Sequence, residues 1–462
     1  MLFTSLQWIV LVTAVFLLYH LISPRYRRWV MLGASLLFYA SWSVPYVSLL
    51  MAHILVDWTC GHFLSLVEKP RLRKFIVAVS VVLNLLSLLL FKFYGLFHDT
   101  LAQLSIHVPA IALTLPLGIS FFAFESMSYT VDVYRGRTRA WKSPLDLSLF
   151  VTWFPHLIAG PIIRPSEMKT QLDRQPRINR ERFFGGLHLM ASGYAKKLLI
   201  ADWLAKVVDP AFASPSAYSS FELALAVYAY AFQVYCDFSA YTDIARGASR
   251  WFGIELPENF EHPYQSTSVT EFWRRWHMTL SRWLKDYLYI PLGGNRKGRF
   301  RTYLNLMITM LLGGLWHGSS WTFLAWGGLQ GAYLIIERVC GIRPEGEVRG
   351  LSRNFRQLLT FHLICFGYVF FRSGSFDKAW QILLGIFAGT RPMSSTALSH
   401  GVGVALLIAG YWGGCWLKRK TSSFDPGDRW HKQLAYVACF AAAIFLFVFC
   451  GASSNAFIYF QF

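Results

Sequence analysis

Apolar stretches follow one another along almost the whole chain, each close to the roughly 20 residues that a helix needs to cross a bilayer. They fall at 3–22, 29–43, 46–67, 75–97, 111–133, 184–208, 220–247, 303–317, 320–338, 356–373, 401–417 and 432–451. Some are short, so the expectation is an all-α polytopic membrane protein with about 11–12 transmembrane helices. Composition agrees. Of the 462 residues, 55% are hydrophobic, 17% aromatic and 15% charged, against roughly 25% charged in soluble domains. Water could not solvate that much apolar surface, whereas lipid can.

The net charge of +19 would suggest nucleic acid in a soluble protein. Here the basic residues gather in alternate connections, at 24–28, 68–74, 135–142 and 164–182, while 98–109 and 210–220 hold no Lys or Arg. That alternation is the positive-inside pattern of membrane proteins. It places the basic loops in the cytoplasm and predicts both termini on the periplasmic side of a bacterial inner membrane. No nucleic-acid partner is expected. Residues 1–22 lack a basic leader and a small-residue cleavage site, which predicts a retained first span. The seven cysteines include no Cys-x-x-Cys pair, so neither a zinc site nor a disulfide framework is indicated.

Two segments fit no simple span. Residues 145–163 are apolar but lie between two basic loops that should share one side, which predicts a re-entrant segment. Residues 259–301 are aromatic and basic together. Such backbone is tolerated at membrane depth only inside protein or beside a watery cavity, so a funnel opening to the cytoplasm is expected there. With no repeat and no soluble portion, 1–462 reads as one membrane-embedded domain ending in a periplasmic tail, 452–462.

Three segments carry chemistry. Ser268-Val-Thr-Glu271 is a capping box that starts a helix. Trp273, His277, Leu280 and Leu284 follow at helical spacing as one stripe, with Arg274, Arg275, Arg282 and Lys285 off it, and the helix should stop near Pro291. Spacing leaves two readings open: an interfacial anchor with snorkelling arginines, or arginines that hold phosphates while His277 reaches inward. His317 sits deep in an apolar segment beside Gly313, Gly314 and Gly318. An ionisable group at that depth is a functional candidate, imidazole is the commonest general base, and glycines admit close approach by a backbone or a thin substrate. A histidine hydrogen-bonded between helices fits the same residues. Asp237, Asp243 and Arg246 within 232–246 read as structural ion pairs. Hydrolase elbows, P-loops and zinc-protease motifs do not occur.

These segments resemble the membrane-bound O-acyltransferase (MBOAT) family. The matching runs are Phe154-Pro-His-Leu-Ile-Ala-Gly160-Pro161, Asp237-Phe-Ser-Ala-Tyr-Thr-Asp243, Pro257-Glu-Asn-Phe260, Glu271-Phe-Trp-Arg-Arg-Trp-His277, Asp286-Tyr-Leu-Tyr-Ile-Pro-Leu-Gly-Gly-Asn295 and Gly313-Gly-Leu-Trp-His317-Gly318. They stand in the family's order across the middle of the chain, and the look is that of its bacterial polysaccharide branch, which serves alginate or cellulose O-acetylation. Ala240 replaces a usual glycine, and Gln330-Gly331 stands where many relatives have His-Gly.

The resemblance implies the MBOAT fold, a ring of tilted helices and re-entrant segments around a central tunnel. It implies an O-acyltransferase in which His317 is the catalytic base and His277 faces it. The acyl donor would be a cytoplasmic thioester, most simply acetyl-CoA, with no permanently bound cofactor and no metal. Charge adds Arg274, Arg275, Arg282 and Lys285 as candidates for the donor's phosphates. The implied partners are a periplasmic transferase of the SGNH serine-hydrolase type and a polysaccharide synthase and export complex. Rival readings are D-alanyl transfer to teichoic acid and a lipid-linked sugar flippase. The chain closes on Asn455-Ala-Phe457-Ile-Tyr459-Phe-Gln-Phe462. This tail is similar to that of a small peptide partner in D-alanylation systems, which makes Tyr459 a candidate acyl carrier. An aromatic belt at a helix end accounts for the same residues.

Overall fold

The computed structural model describes residues 1–111, 113–174, 178–342, 350–389, 391–421 and 457–458. Among them the regular structure is entirely helical. The chain forms two compact units. One comprises Met1–Tyr194 and Ala240–Pro257 with Phe457 and Ile458; the other comprises Ala195–Ser239 and the described residues from Glu258 to Thr421.

Among the described residues two helices, both in the first unit, are long and apolar enough to cross a membrane by length and composition: Val44–Leu66, and Pro70–Gln103, which runs through a π-helical turn at Leu89–Phe93. Their apolar surfaces need no aqueous face, but Asp57 at 0% exposure does need partners. Its carboxylate accepts hydrogen bonds from Ser80, from Asn84 Nδ2 at 2.9 Å and from Thr130 Oγ1 at 2.9 Å, which ties three helices together. His53 Nδ1 extends the cluster to Asn84 Oδ1 at 2.9 Å. Residues 145–163 form a short helix, Pro144–Thr152, and then a non-helical run through Trp153 and Phe154, both fully buried. His156, from the same run, meets Glu125 at 3.1 Å with both side chains buried.

The C-terminal stretch expected as a last span, 432–451, lies outside the described residues, and so does Tyr459. Phe457 is described. It is buried, with ring centres 6.4 Å from Phe3 and 5.3 Å from Tyr241.

The second unit holds the expected helices Gly298–His317, Trp321–Val339 and Gly350–Ser373, and also Phe376–Ala388, which the hydropathy pattern did not single out. Ser375 caps this last helix by accepting from the Lys378 N–H. The first two make a tight hairpin. A Cβ at Gly314 would lie 2.3 Å from the Phe323 carbonyl oxygen, and one at Gly327 would lie 2.4 Å from that of Met310. Only glycine permits such backbone contact. Of the two occupants the sequence allowed at Gly314, a backbone or a thin substrate, the backbone of the neighbouring helix is the one found. The ion-pair reading of Asp237 holds, since Lys197 bridges it at 2.8 Å to Asp202 at 2.9 Å. In the first unit Asp243 faces Arg246 at 3.8 Å.

Candidate active site

The segment expected as one continuous amphipathic helix is broken at its histidine. The capping box forms: Ser268 Oγ accepts from the Glu271 N–H at 3.0 Å. The Glu271 carboxylate reaches back to Thr267 N–H at 2.7 Å rather than to the cap residue itself. The helix Val269–Arg275 then ends, and a second short helix, Met278–Leu284, begins. Between them His277 has φ 43° and ψ 52°, a left-handed backbone. For a residue with a Cβ this costs roughly 1–2 kcal/mol, and such outliers persist only where neighbours over-determine them. Helical periodicity runs straight through residue 277, which is why spacing alone did not reveal the break.

Asn259 is the neighbour that holds the break. Its carbonyl accepts from the Met278 N–H at 3.0 Å, and its Oδ1 accepts from the Thr279 N–H at 3.2 Å and the Thr279 hydroxyl at 2.7 Å. The Glu261 N–H donates to the Arg275 carbonyl at 2.9 Å on the other side of the kink. Asn259 thus serves as an external cap for the second helix, whose first N–H groups have no intrahelical acceptor. The first helix is fixed by the hairpin: Glu337 accepts from the Val269 and Thr270 N–H groups, and Gln330 Oε1 from Trp273 Nε1 at 3.2 Å. Gln330 and Glu337 stand seven residues apart and share one helix face.

The kink delivers His277, with 0% exposure, to the end of the Gly298–His317 helix. The rings of His277 and His317 have centres 6.2 Å apart. Aromatic edges and faces enclose both. Phe238 stands perpendicular to His277 at 4.8 Å, and Trp326 and Phe371 meet His317 at 5.1 and 5.2 Å. Two imidazoles in so dry a setting can exchange a proton with a reacting group from two sides, where electrostatic interactions are stronger than in water.

A cavity of about 630 Å³ opens against the same helices. Arg274, Lys285 and Arg338 line it, with Trp273, Leu284, Tyr289, Thr309 and Met310. Burial raises the Tyr289 phenol above its usual pKa, with Arg338 opposing, so the phenol stays a neutral donor. Met310 is seven residues from His317, about 10 Å along the helix. Of the four basic residues singled out by charge, Arg274 and Lys285 reach the cavity. Arg275 pairs with Glu271 at 2.8 Å, and Arg282 lies outside the lining. Arg338 escaped the sequence reading because it closes an apolar span and looks like an ordinary flanking charge.

Residues 139–343, which hold both histidines and most of the cavity lining, match the profile of the membrane-bound O-acyltransferase family. A probable alginate O-acetylase of Azotobacter vinelandii is 40% identical over 396 residues, covering 84% of this chain and 78% of that protein. A peptidoglycan O-acetyltransferase of Helicobacter pylori is 35% identical over 78% of this chain and 73% of its own length. A teichoic acid D-alanyltransferase of Bacillus subtilis is 26% identical over 65% of this chain and 79% of its own length. Identity at this level over most of both chains decides the matter: the chain belongs to the membrane-bound O-acyltransferase family and is an integral membrane O-acyltransferase.

Proposed function

We propose that this protein takes an acetyl group from cytoplasmic acetyl-CoA and passes it through the inner membrane for O-acetylation of an exported polysaccharide. The observation that carries this reading is the facing pair His277 and His317, buried among aromatic rings and about 10 Å along one helix from a basic cavity. Arg274, Lys285 and Arg338 suit the phosphates of the donor, with Arg275 and Arg282 flanking them. His317 takes the proton of the acceptor hydroxyl. The oxygen attacks the thioester carbonyl carbon, the C–S bond breaks, and the thiolate leaves with a proton as free CoA. His277 orients the acyl group or supplies that proton. Acetyl is favoured over D-alanyl because the two acetyl-transferring relatives are the more similar ones.

The topology that suits this path has the basic loops in the cytoplasm and both termini in the periplasm. A separate periplasmic transferase of the SGNH type would then receive the group beside the polysaccharide synthase. Tyr459 is the candidate carrier for that hand-over. The buried seat of Phe457 fits a tail that returns to the protein. A phenol ester suits a relay, because phenoxide, with a pKa of about 10, leaves more readily than a sugar alkoxide.

The test is mass spectrometry of the native surface polymer with and without the protein. Acetyl esters that vanish with it support the reading. D-alanyl esters, or no change in acylation with acetyl-CoA left unconsumed, would replace it with teichoic-acid transfer or with a flippase. Tyr459→Phe keeps the ring and loses the nucleophile. It should abolish both polymer acetylation and the acetyl adduct on the C-terminal peptide.

A further inference from the structure

Beside His317, the Trp321–Val339 helix carries two buried hydrogen-bond donors that have no partner among the described residues: Trp326 Nε1 and Gln330 Nε2. Trp326 is 3% exposed and Gln330 1%. They lie one helical turn apart and share a face. Buried donors are almost always satisfied, and one left unsatisfied costs the desolvation of its group. Two on one face, next to the catalytic imidazole, call for a reason.

The orientation of the Gln330 amide follows from chemistry. Its partner, Trp273 Nε1, can only donate, so the atom facing it is the carbonyl oxygen. The amide nitrogen is thereby turned the other way, toward Gly367 on the Gly350–Ser373 helix. A Cβ at Gly367 would stand 2.8 Å from Gln330 Nε2 and 3.5 Å from Trp326 Nε1. Both donors thus border the same stretch of that helix, at its residue without a side chain. Its surroundings tie it to both parts of the site. Trp326 is perpendicular to the His317 ring at 5.1 Å, and Trp273 lines the basic cavity.

From this arrangement we infer that Trp326 Nε1–H and Gln330 Nε2–H form a donor pair for the carbonyl oxygen of the transferred acyl group. The inference rests on the acyl-transfer reading above. When the acceptor oxygen bonds to the carbonyl carbon, the carbonyl π pair moves onto oxygen, and the two N–H groups stabilise that oxyanion. The pair returns to re-form C=O as the C–S bond breaks and the thiolate leaves. Donors fixed in a dry site do this without reorganising at the moment of reaction. Trp273 sets the angle of the Gln330 amide and acts as a positioning residue.

The experiment measures thiol release from acetyl-CoA by membrane vesicles carrying the full-length protein and its native acceptors, with His317→Ala as the background. Trp326→Phe keeps an aromatic ring and removes the N–H; Gln330→Met keeps the length and removes the amide, including the acceptor of Trp273 Nε1. Each should lower kcat about 10²–10³-fold with the KM for acetyl-CoA little changed. Gly367→Ala removes no donor, but its methyl, 2.8 Å from Gln330 Nε2, forces that amide to shift, so it should lower kcat as well and keeps the test open if a larger change misfolds. Retention of kcat within about threefold in the folded variants, or a rise in KM alone, would overturn the donor pair while leaving the acyl-transfer reading intact. Wild-type thiol release by His317→Ala would instead overturn the reading beneath it.

Discussion

His277 and His317 present their rings to one another with centres 6.2 Å apart and planes tilted by 58°. One comes from a kink and the other from the last residue of a helix. Two groups that act on one reacting centre from different sides behave as a unit, and losses from a unit do not add. His317→Ala should lower acyl transfer about 10²–10⁴-fold, His277→Ala by a similar factor, and the double variant by little more than the worse single one. Thiol release from acetyl-CoA measures all three. Wild-type turnover in purified His317→Ala would remove it from the mechanism.

The left-handed backbone at residue 277 separates stability from activity. His277→Gly and His277→Ala both lose the imidazole and should be equally inactive. Glycine takes up the left-handed conformation freely, so His277→Gly should be more stable than His277→Ala by about 1 kcal/mol. Thermal unfolding of the two proteins side by side decides it.

Asn259 holds that kink by side-chain and main-chain bonds. Asn259→Ala strips the Thr279 N–H and hydroxyl of their buried acceptor and should destabilise the protein by about 1–3 kcal/mol. Asn259→Asp keeps both acceptor bonds and should retain the larger part of the activity. If Asn259→Ala turns over at the wild-type rate, the kink does not depend on this cap.

In the cavity, neutralising Arg274, Lys285 or Arg338 should raise the KM for acetyl-CoA and leave kcat nearly unchanged. The loss removes binding that substrate and transition state share. Raised salt should weaken donor binding in the wild type more than in the triple variant. Arg275→Ala, which breaks a half-buried pair with Glu271 outside the cavity lining, should change KM far less. Equal KM effects from all four would show that long-range charge, not the lining of the cavity, sets donor affinity.

Much of this was legible in the sequence, and what was not has identifiable causes. Hydropathy located several helices within a few positions, such as Val44–Leu66 and Trp321–Val339, but began others five to eight residues off, as at Ile119–Tyr134 and Pro70–Gln103. It passed over Phe376–Ala388, which is too short to span a membrane alone. His317 stood out because it interrupts an apolar segment, and His277 because it falls on the apolar stripe of an otherwise basic helix. The break at His277 did not, since Leu280 and Leu284 keep the spacing of an unbroken helix and the kink is enforced by Asn259, far from any local pattern. Arg338, Gln330 and Gly367 acquire their roles only when the hairpin sets them beside the cavity and beside Trp326, and nothing in a linear sequence reports a donor without an acceptor.

The contact of Gly314 and Gly327 with opposing carbonyl groups makes the hairpin beneath His317 a stiff strut. If His317 is the base proposed above, it is mounted on a strut and does not swing; the acyl group does the moving, by the making and breaking of its own bonds. Tryptophan and phenylalanine rings crowd the imidazoles on several sides. On the proposed reading, a hairpin this rigid would let an acyl group pass from one bond to the next while the protein around it stays still.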